Sequence, residues 1–272
     1  MNEKTVLITG ATDGIGKATA EELARRGLTV IVHGRSLEKV QQTQGEIRRN
    51  VPNARLESVV ANFASLEQVR ALSKEIAARF ERLDVLINNA GVFMQTRQLS
   101  QDGFELTFAV NHLAHFLLTK SLLPLLHSSQ ARVVTVSSIS HRRGQINFAD
   151  LNSERNFEGY LVYAQSKLAN IHFANELAIR ERGKLTSNSL HPGGVTSKLL
   201  QTGFGITGIS PAQGAETSVY LAIAPEVANV SGKYFSESRE TPTIPPVLDA
   251  SVGQRLWHVS EQLTGASDFQ AI

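Results

Sequence analysis

A tyrosine and a lysine stand four residues apart at Tyr163 and Lys167. In a helix, residues at this spacing lie on one face, one turn apart. A free phenol has a pKa of about 10, too high for easy proton exchange near neutrality, and a nearby ammonium lowers that pKa. The spacing therefore predicts an acid–base pair, although taken alone a Tyr-x-x-x-Lys pair is common by chance on protein surfaces.

Other polar residues follow predicted strands. The apolar run 133–136 ends in Ser137 and Ser138, and another strand ends in Asn88-Asn89-Ala90-Gly91, with Asn111 on the long helix predicted after it. Open α/β folds bind ligands at the carboxyl ends of their strands. A serine hydroxyl at that edge can hydrogen-bond an alkoxide as it develops. These residues therefore predict a catalytic site shared with Tyr163.

The segment between the first predicted strand and the first predicted helix is rich in glycine. Glycines at such a junction let the backbone approach a pyrophosphate, and the positive end of the helix dipole attracts the phosphate charge. Three glycines alone also occur in ordinary turns. The strand before and the helix after favour a dinucleotide site, formed by Gly10, Thr12, Asp13, Gly14, Ile15 and Gly16.

The end of the second predicted strand bears on the choice of cofactor. It reads His33-Gly34-Arg35-Ser36 and carries no acid at position 33 or 34. NAD-selective enzymes place a carboxylate here for the ribose hydroxyls, whereas an arginine suits the 2′-phosphate of NADP. Arg35 therefore favours NADP(H) over NAD(H). The alternative is that Arg35 only solvates the loop.

Short β-branched runs alternate with longer segments of helical period, a pattern typical of βαβ units and a parallel sheet. We predict one α/β domain over residues 1–272, a doubly wound Rossmann-type sheet with strand order 3-2-1-4-5-6-7 and helices on both faces. Residues 236–272 form an extension packed on it. Strands are predicted at 5–9, 29–33, 55–61, 85–88, 132–137, 185–190 and near 232–235, and helices at 16–26, 37–49, 66–82, 103–126 and 160–182.

Composition narrows the classes of function. The formal net charge of +2 predicts neither a nucleic-acid nor a membrane-surface partner. The chain has no cysteine, which excludes disulfides and thiolate chemistry. His112 and His115 have ligand-compatible spacing, but no third ligand is evident, so we expect no metal site. No apolar run reaches the ~20 residues of a spanning helix. We expect a cytoplasmic protein.

Together these motifs resemble the classical type of the short-chain dehydrogenase/reductase family over nearly the whole chain. The long segment between Ser138 and Tyr163 is similar to the retinol dehydrogenase-like branch, whose members often carry an N-terminal membrane anchor. The residues that match are Gly10, Gly14, Gly16, the run from Asn88 to Gly91, Asn111, Ser138, Tyr163, Lys167 and the run from His191 to Ser197.

The resemblance implies a role for each residue. Tyr163 would exchange the substrate proton, Lys167 would lower its pKa and hold the nicotinamide ribose, Ser138 would orient the substrate oxygen, and Asn111 would hold a water behind Lys167. Asn62 and Phe63 stand where the family has Asp-Leu beside the adenine, and Asp13 stands where NADP-preferring members often carry a basic residue. The other implied cofactor contacts are Asn89, Ala90, Gly91, Pro192, Gly193, Val195 and Ser197.

These expectations point to an oxidoreductase that moves a hydride between NADP(H) and a carbonyl or alcohol of an apolar small molecule. Two alternatives stay open: a non-catalytic nucleotide-sensing module, and an ene-type or light-driven double-bond reductase on the same scaffold. The glycine-rich stretch 196–210 predicts a mobile lid that carries Leu199, Leu200 and Phe204. The family implies homodimers or homotetramers through the helices at 103–126 and 160–182.

Overall fold

The computed structural model describes residues 4–196, 208–244, 247 and 249–266. Its centre is an eight-stranded sheet with the order β3-β2-β1-β4-β5-β6-β7-β8. The strands are β1 (Thr5–Ile8), β2 (Thr29–Gly34), β3 (Arg55–Val60), β4 (Val85–Asn88), β5 (Arg132–Val136), β6 (Thr186–His191), β7 (Tyr234–Ser236) and β8 (Arg239–Glu240). The predicted order of the first seven strands is confirmed.

The eighth strand corrects the prediction of seven. β8 pairs antiparallel with β7, whereas every other neighbouring pair is parallel. The two strands are joined at Glu237 and Ser238, which both adopt positive φ angles (52° and 57°). Such angles suit the tight hairpin turns that follow the twist of a β-ribbon. A two-residue strand is too short to show an alternating pattern, so its sequence gave no signal.

Helices cover both faces of the sheet. They are α1 (Gly14–Arg25), α2 (Leu37–Asn50), α3 (Leu66–Arg79), α4 (Leu106–Phe108), α5 (Ala114–Ser121), α6 (Leu123–Ser128), α7 (Gly159–Arg180), α8 (Pro211–Ile223) and α9 (Ala250–Thr264). One apolar core lies under α1, α2 and α8, and the other lies under α3, α5, α7 and α9. Among the described residues, none of the helices combines the length and hydropathy that crossing a bilayer requires.

One helix prediction was wrong, and one helix was not predicted. The single helix predicted at 103–126 is three helices, because a π-helical turn at Ala109–Leu113 interrupts it and α6 starts anew with a proline in its first turn. The helix α8 was not predicted. It begins with a capping box, in which the Ser210 side chain and Gln213 satisfy each other's backbone groups. Much of its buried face is small, so its apolar period is weak.

The C-terminal helix α9 lies across α5 and α7. Its Trp257 ring packs edge-on against Phe116 (4.9 Å between centroids) and is stacked on Phe173 (6.0 Å). Burial of an aromatic side chain of this size is a large apolar contribution to folding. The parts of α5 and α7 beneath α9 are therefore covered within the chain, and the expected association through these two helices stays a prediction.

Candidate active site

A cavity of about 810 Å³ opens at the carboxyl edge of the sheet, where the loops after β1, β2, β4, β5 and β6 meet. Most of the residues singled out in the sequence line it. They are Gly10, Thr12, Asp13, Gly14, Ile15, Gly16, Arg35, Asn62, Phe63, Asn89, Ala90, Gly91, Ser138, Tyr163, Lys167, Pro192, Gly193 and Val195. The structure thus brings the predicted catalytic and cofactor residues to one cavity.

Tyr163 and Lys167 lie one turn apart on α7 and are both buried. The Lys167 Nζ atom lies 5.5 Å from the centre of the Tyr163 ring. Burial raises the pKa of Tyr163 to about 12, partly offset by a hydrogen bond with Ser138. Burial also lowers the pKa of Lys167 to about 8. The expected lowering of the Tyr163 pKa is therefore outweighed by desolvation, which penalises the charged form of each group.

Ser138 lies directly after β5, where it begins the 3₁₀ turn Ile139–Arg143. Its hydroxyl hydrogen-bonds to the Tyr163 phenol and donates to the Ser140 hydroxyl at 3.2 Å. Its backbone carbonyl lies 2.6 Å from Nδ1 of His141 and accepts that hydrogen. The capping geometry and the histidine fix this serine at the strand end. Its hydroxyl and the Tyr163 phenol therefore lie together at the cavity, and the expected binding of one substrate oxygen by both stays a prediction.

Asn111 lies behind the cavity wall, within the π-helical turn. Its Oδ1 accepts from the Val92 backbone N–H at 2.8 Å, and its Nδ2 donates to the Val92 carbonyl and the Ser166 hydroxyl, both at 3.0 Å. The Asn111 side chain thus holds the segment that follows Gly91. Its role in holding a water behind Lys167 stays a prediction.

The glycine turn is packed too tightly for side chains. A Cβ added to Gly16 would lie 2.3 Å from the Gly10 carbonyl oxygen, and one added to Gly10, whose φ is +64°, would lie 2.8 Å from the Ala90 Cα. The Asp13 side chain caps α1 by accepting from the Gly14 N–H at 2.8 Å. The turn therefore presents backbone at the N-terminus of a helix, which is where phosphate groups bind.

Asn89 closes this turn from the neighbouring strand. Its Nδ2 donates to the backbone carbonyls of Thr9 (2.8 Å) and Gly10 (3.2 Å). The Thr9 hydroxyl in return accepts from the backbone N–H groups of Asn89 (2.8 Å) and Ala90 (2.9 Å). The glycine turn and the Asn89-Ala90 turn therefore form one hydrogen-bonded unit. The Asn89 side chain therefore stabilises the conformation of the glycine turn.

The residues expected near adenosine occupy the other end of the cavity. Arg35 is exposed at the cavity rim after β2. The Asn62 Oδ1 atom accepts from the Ala64 N–H at 3.1 Å, and the Phe63 ring stacks on His33 with 4.5 Å between centroids. Because Asn62 and Phe63 make these local contacts, their expected contact with adenine stays a prediction.

The segment after β6 also lines the cavity. Gly193 has a φ of +86°, and Val195 forms an isolated bridge with Ile209 and is buried. Ser197 and the expected lid residues Leu199, Leu200 and Phe204 lie outside the described residues. Pro192, Gly193 and Val195 are therefore the parts of this motif that the structure places at the site.

Two histidines, His33 and His115, make hydrogen bonds beside the site that the sequence did not predict. The His33 Nδ1 atom accepts from the Gly10 N–H at 3.1 Å, and its Nε2 donates to the Ala61 carbonyl at 3.1 Å, so the ring holds the glycine turn. His115 contacts Thr9 and Asn111, and His112 contacts Ser260. The one feature of the sequence that could have indicated this contact is the position of His33 at the end of the second predicted strand.

The cavity has the chemistry that a nicotinamide dinucleotide requires. The tight glycine turn and the N-terminus of α1 suit the pyrophosphate, and Arg35 supplies a positive charge where a 2′-phosphate would lie. Lys167 and Tyr163 stand at the other end, next to the strand-end serine. The residues present therefore fit such a cofactor.

Comparisons with known proteins agree with this geometry. Residues 4–204 match the family model described as short chain dehydrogenase. The chain is 43% identical to human retinol dehydrogenase 14, over 97% of this chain and 87% of that protein. It is 41% identical to human retinol dehydrogenase 13, over 96% of this chain and 85% of that protein.

Solved structures show the same architecture. A crystal structure of an uncharacterized protein from Mycobacterium Paratuberculosis superposes with a TM-score of 0.78 at 34% identity, covering 96% of this chain and 93% of that one. A short chain dehydrogenase from Escherichia coli CFT073, complexed with NADPH, gives 0.73 at 26% identity, covering 88% and 98%. The chain therefore belongs to the short-chain dehydrogenase family of NAD(P)-dependent oxidoreductases and is similar to its retinol dehydrogenase branch.

Proposed function

We propose that this protein transfers a hydride between NADP(H) and a carbonyl or alcohol group of an apolar small molecule, with Tyr163 as the acid–base. The observation that carries this proposal is the hydrogen bond between the Ser138 hydroxyl and the Tyr163 phenol, inside the cavity that the glycine turn also lines. Both hydroxyls can contact one substrate oxygen there, while the dinucleotide occupies the rest of the cavity.

The proposed chemistry divides between cofactor and protein. The bound nicotinamide supplies or accepts the hydride. Tyr163 donates its phenolic proton to the carbonyl oxygen in reduction, and it takes that proton back in oxidation. Ser138 orients the oxygen and stabilises the charge that develops on it. The Lys167 ammonium, 5.5 Å from the Tyr163 ring centre, stabilises the phenolate that the proton transfer leaves.

The preference for NADP(H) rests on Arg35. It lines the cavity directly after β2, and its guanidinium can grip a phosphate with two parallel hydrogen bonds. The strand end offers no carboxylate to the ribose hydroxyls, since positions 33 and 34 are histidine and glycine and the His33 ring is occupied with Gly10 and Ala61. The NADPH complex of the Escherichia coli relative supports the same choice.

The proposed substrate is apolar because several apolar side chains line the cavity. Leu106, Val110 and Ile139 are among them, and Ile139 directly follows Ser138. The Phe93 ring lies 5.5 Å from the Tyr163 ring. Two relatives are named retinol dehydrogenases, and retinol is a long apolar alcohol. These observations support an apolar alcohol or aldehyde as the substrate class.

The test has two stages. NADPH and NADH are first titrated separately into the protein, with binding followed by fluorescence. A panel of aldehydes of increasing alkyl length is then assayed with the tighter-binding cofactor beside a polar 2-keto acid of similar size. We expect kcat/KM to rise with alkyl length and the keto acid to react poorly. Comparable rates on both classes, or no reduction of any carbonyl, would contradict the proposal.

A further inference from the structure

His115 is a buried histidine to which the sequence assigns no catalytic role. It lies in the first turn of α5 with 1% of its surface exposed. Its Nδ1 atom lies 3.0 Å from the Asn111 backbone carbonyl, and its Nε2 atom lies 2.9 Å from the Thr9 hydroxyl. The ring therefore joins the helix behind Lys167 to the end of β1.

These two contacts fix the tautomer. A carbonyl oxygen can only accept, so Nδ1 of His115 carries the hydrogen and donates it to Asn111. The Thr9 hydroxyl already accepts from the N–H groups of Asn89 and Ala90. Its own hydrogen is therefore free for Nε2, which lies closer than the alternative acceptor, the Ile87 carbonyl at 3.3 Å. Nε2 accepts, and the imidazole is neutral.

Burial favours the same neutral form. Burial, together with the positive charge of Lys167, lowers the pKa of His115 to about 3 despite the hydrogen bond to the Asn111 carbonyl. The charged and titratable groups that act on this ring are Lys167, His33 and His112, and each of them disfavours a second positive charge there. The hydrogen-bond pattern is therefore the same throughout the neutral pH range, and the ring does not act as a switch.

On one side, His115 supports the cofactor turn. Its partner, the Thr9 hydroxyl, is the atom that holds the Asn89-Ala90 turn against the glycine turn. The edge of the His115 ring also contacts Phe63, with 5.3 Å between centroids, and Phe63 stacks on His33. Loss of the Nε2 contact would leave the hydrogen of the Thr9 hydroxyl with only the longer contact to the Ile87 carbonyl, and the turn would lose one of its supports.

On the other side, His115 supports the proton-transfer residues. Its partner, Asn111, lies in the π-helical turn and clamps Val92 through both atoms of its side-chain amide. Asn111 Nδ2 also donates to the Ser166 hydroxyl, which in turn donates to the Tyr163 carbonyl at 2.7 Å. Irregular helical turns of this kind leave backbone groups without their ordinary partners. The imidazole donates to the Asn111 carbonyl and so stabilises the turn.

We propose that His115 is a positioning residue that holds two parts of the active site in register, Asn111 through Nδ1 and the Asn89-Ala90 turn through Nε2. This inference rests on the proposed function, because it assigns Asn111 to proton transfer and the turn to cofactor binding. His115 is not among the residues that line the cavity. Its two bonds serve two different steps, and different substitutions can remove them one at a time.

Two variants separate the bonds. In His115→Asn, the side-chain amide reaches the position of Nδ1 and can still donate to Asn111, but it leaves the Thr9 hydroxyl without its acceptor. In His115→Gln, the longer amide reaches the position of Nε2 and can accept from Thr9, but Asn111 loses its donor. The measurements are the dissociation constant of NADPH, kcat on the best aldehyde of the panel, and the midpoint of thermal unfolding.

We expect opposite losses. His115→Gln should lower kcat by roughly tenfold and change the dissociation constant by less than about twofold, and His115→Asn should show the reverse, because one neutral hydrogen bond is lost in each. His112→Gln is the matched control. It lies in the same segment with 1% exposure, and its ring contacts Ser260 on α9 and Asn170 on α7, neither of which lines the cavity. It should lower the unfolding midpoint without changing either parameter.

Three outcomes overturn the proposal. Both His115 variants could lose kcat and cofactor affinity together in proportion to their unfolding midpoints, as a purely structural residue would. Both His115 variants could also show the behaviour expected of His112→Gln, a lower unfolding midpoint with unchanged kcat and cofactor affinity. Finally, the wild type could bind cofactor and reduce the aldehyde, while His115→Phe keeps the wild-type kcat and cofactor affinity. That result would support the proposed function and contradict this inference alone.

Discussion

The Lys167 ammonium lies 5.5 Å from the centre of the Tyr163 ring and donates a hydrogen bond to the Val136 carbonyl at 3.2 Å. Lys167, one member of the proposed catalytic pair, is thus bound to the last residue of β5, and Ser138 follows two residues later. The pair and the serine share a single rigid support. Because burial raises the pKa of Tyr163 to about 12, the phenol is protonated at neutral pH, the form needed to donate a proton.

Removing the phenolic hydroxyl should stop turnover without unfolding the protein. Tyr163→Phe keeps the ring and its packing against Phe93, so we expect an unchanged dissociation constant for NADPH and a loss in kcat of roughly 10²–10⁴-fold. Tyr160→Phe removes another phenol that lines the cavity and should keep most of the rate. A Tyr163→Phe variant that retained near-wild-type kcat would show that another group exchanges the proton.

Loss of the ammonium should affect two parameters. Lys167→Ala removes the charge that stabilises the phenolate and also the proposed contact with the nicotinamide ribose, so kcat should fall and the dissociation constant of NADPH should rise. Because burial lowers the pKa of Lys167 to about 8, the rate of carbonyl reduction by the wild type should decline above that pH as the charge is lost. Normal cofactor affinity in Lys167→Ala would contradict the ribose contact.

Arg35 should decide between the two cofactors. Arg35→Asp repels the 2′-phosphate and offers an acceptor to the ribose hydroxyls, so the order of affinities should reverse from NADPH to NADH. A hydrogen bond to a charged group contributes about 1.5–3 kcal/mol, and the exposure of Arg35 places the effect at the low end. The measurement is the dissociation constant of both cofactors at one salt concentration.

The control for Arg35 is Lys39→Ala. This variant removes an exposed cation in the first turn of α2, four residues after Arg35, and should leave the order of affinities unchanged. Equal affinities of the wild type for both cofactors would refute the assignment. So would an NADPH affinity that Arg35→Asp leaves untouched. Arg35 would then be a solvated loop residue.

Buried histidines should make the fold sensitive to mild acid. Burial lowers the pKa of His33 to about 4 and the pKa values of His112 and His115 to about 3, against an ordinary value of 6.5. Below pH 6.5 the unfolded chain takes up protons that the native protein does not bind. Each such proton lowers the free energy of unfolding by about 1.4 kcal/mol per pH unit.

We therefore expect the free energy of unfolding, measured in urea, to fall between pH 6.5 and 5, a range above the ordinary titration of carboxylates. This contribution is complete above pH 6.5 and is lost as the pH falls toward the native pKa values. Replacing His112 by leucine should reduce the slope, whatever its effect on total stability. A stability that is flat over this range would contradict the neutral, buried state of these rings.

Trp257 should contribute more stability than any exposed residue of α9. Trp257→Ala leaves a cavity against Phe116 and Phe173 and should cost about 3–5 kcal/mol, the usual range for a buried aromatic. Gln254→Ala, on the exposed side of the same helix, should change stability by less than about 0.5 kcal/mol. Similar effects of both substitutions would mean that α9 packs weakly on α5 and α7.

The sheet could be predicted because its strands are short apolar runs between helical segments, and a parallel sheet buried on both faces requires that pattern. The helix at 103–126 could not, because the π-helical turn at Ala109–Leu113 depends on partners from distant segments, such as Val92 and Ser166. The helix α8 carried readable signals in Ser210, Pro211 and Gln213, but much of its buried face is glycine, alanine, serine and threonine.

In the candidate site, too, some residues could be predicted from the sequence and others could not. Tyr163, Lys167 and Ser138 were found because their chemistry is tied to spacing and to a strand end. The supporting residues His33 and His115 were not, since a histidine acquires its function from the partners of its two nitrogens, and here those partners are Gly10, Thr9 and Asn111. Sequence separation hides such contacts until the sheet brings the segments together.

The packing of α9 has a consequence for biosynthesis. The helix follows every strand of the sheet in the chain, so it leaves the ribosome after α5 and α7 have been synthesised. Until it arrives, Phe116 and Phe173 face solvent on a surface that other nascent chains can contact. Trp257 thus covers this apolar surface only late in synthesis. We expect chains that terminate before α9 to bind chaperones or aggregate.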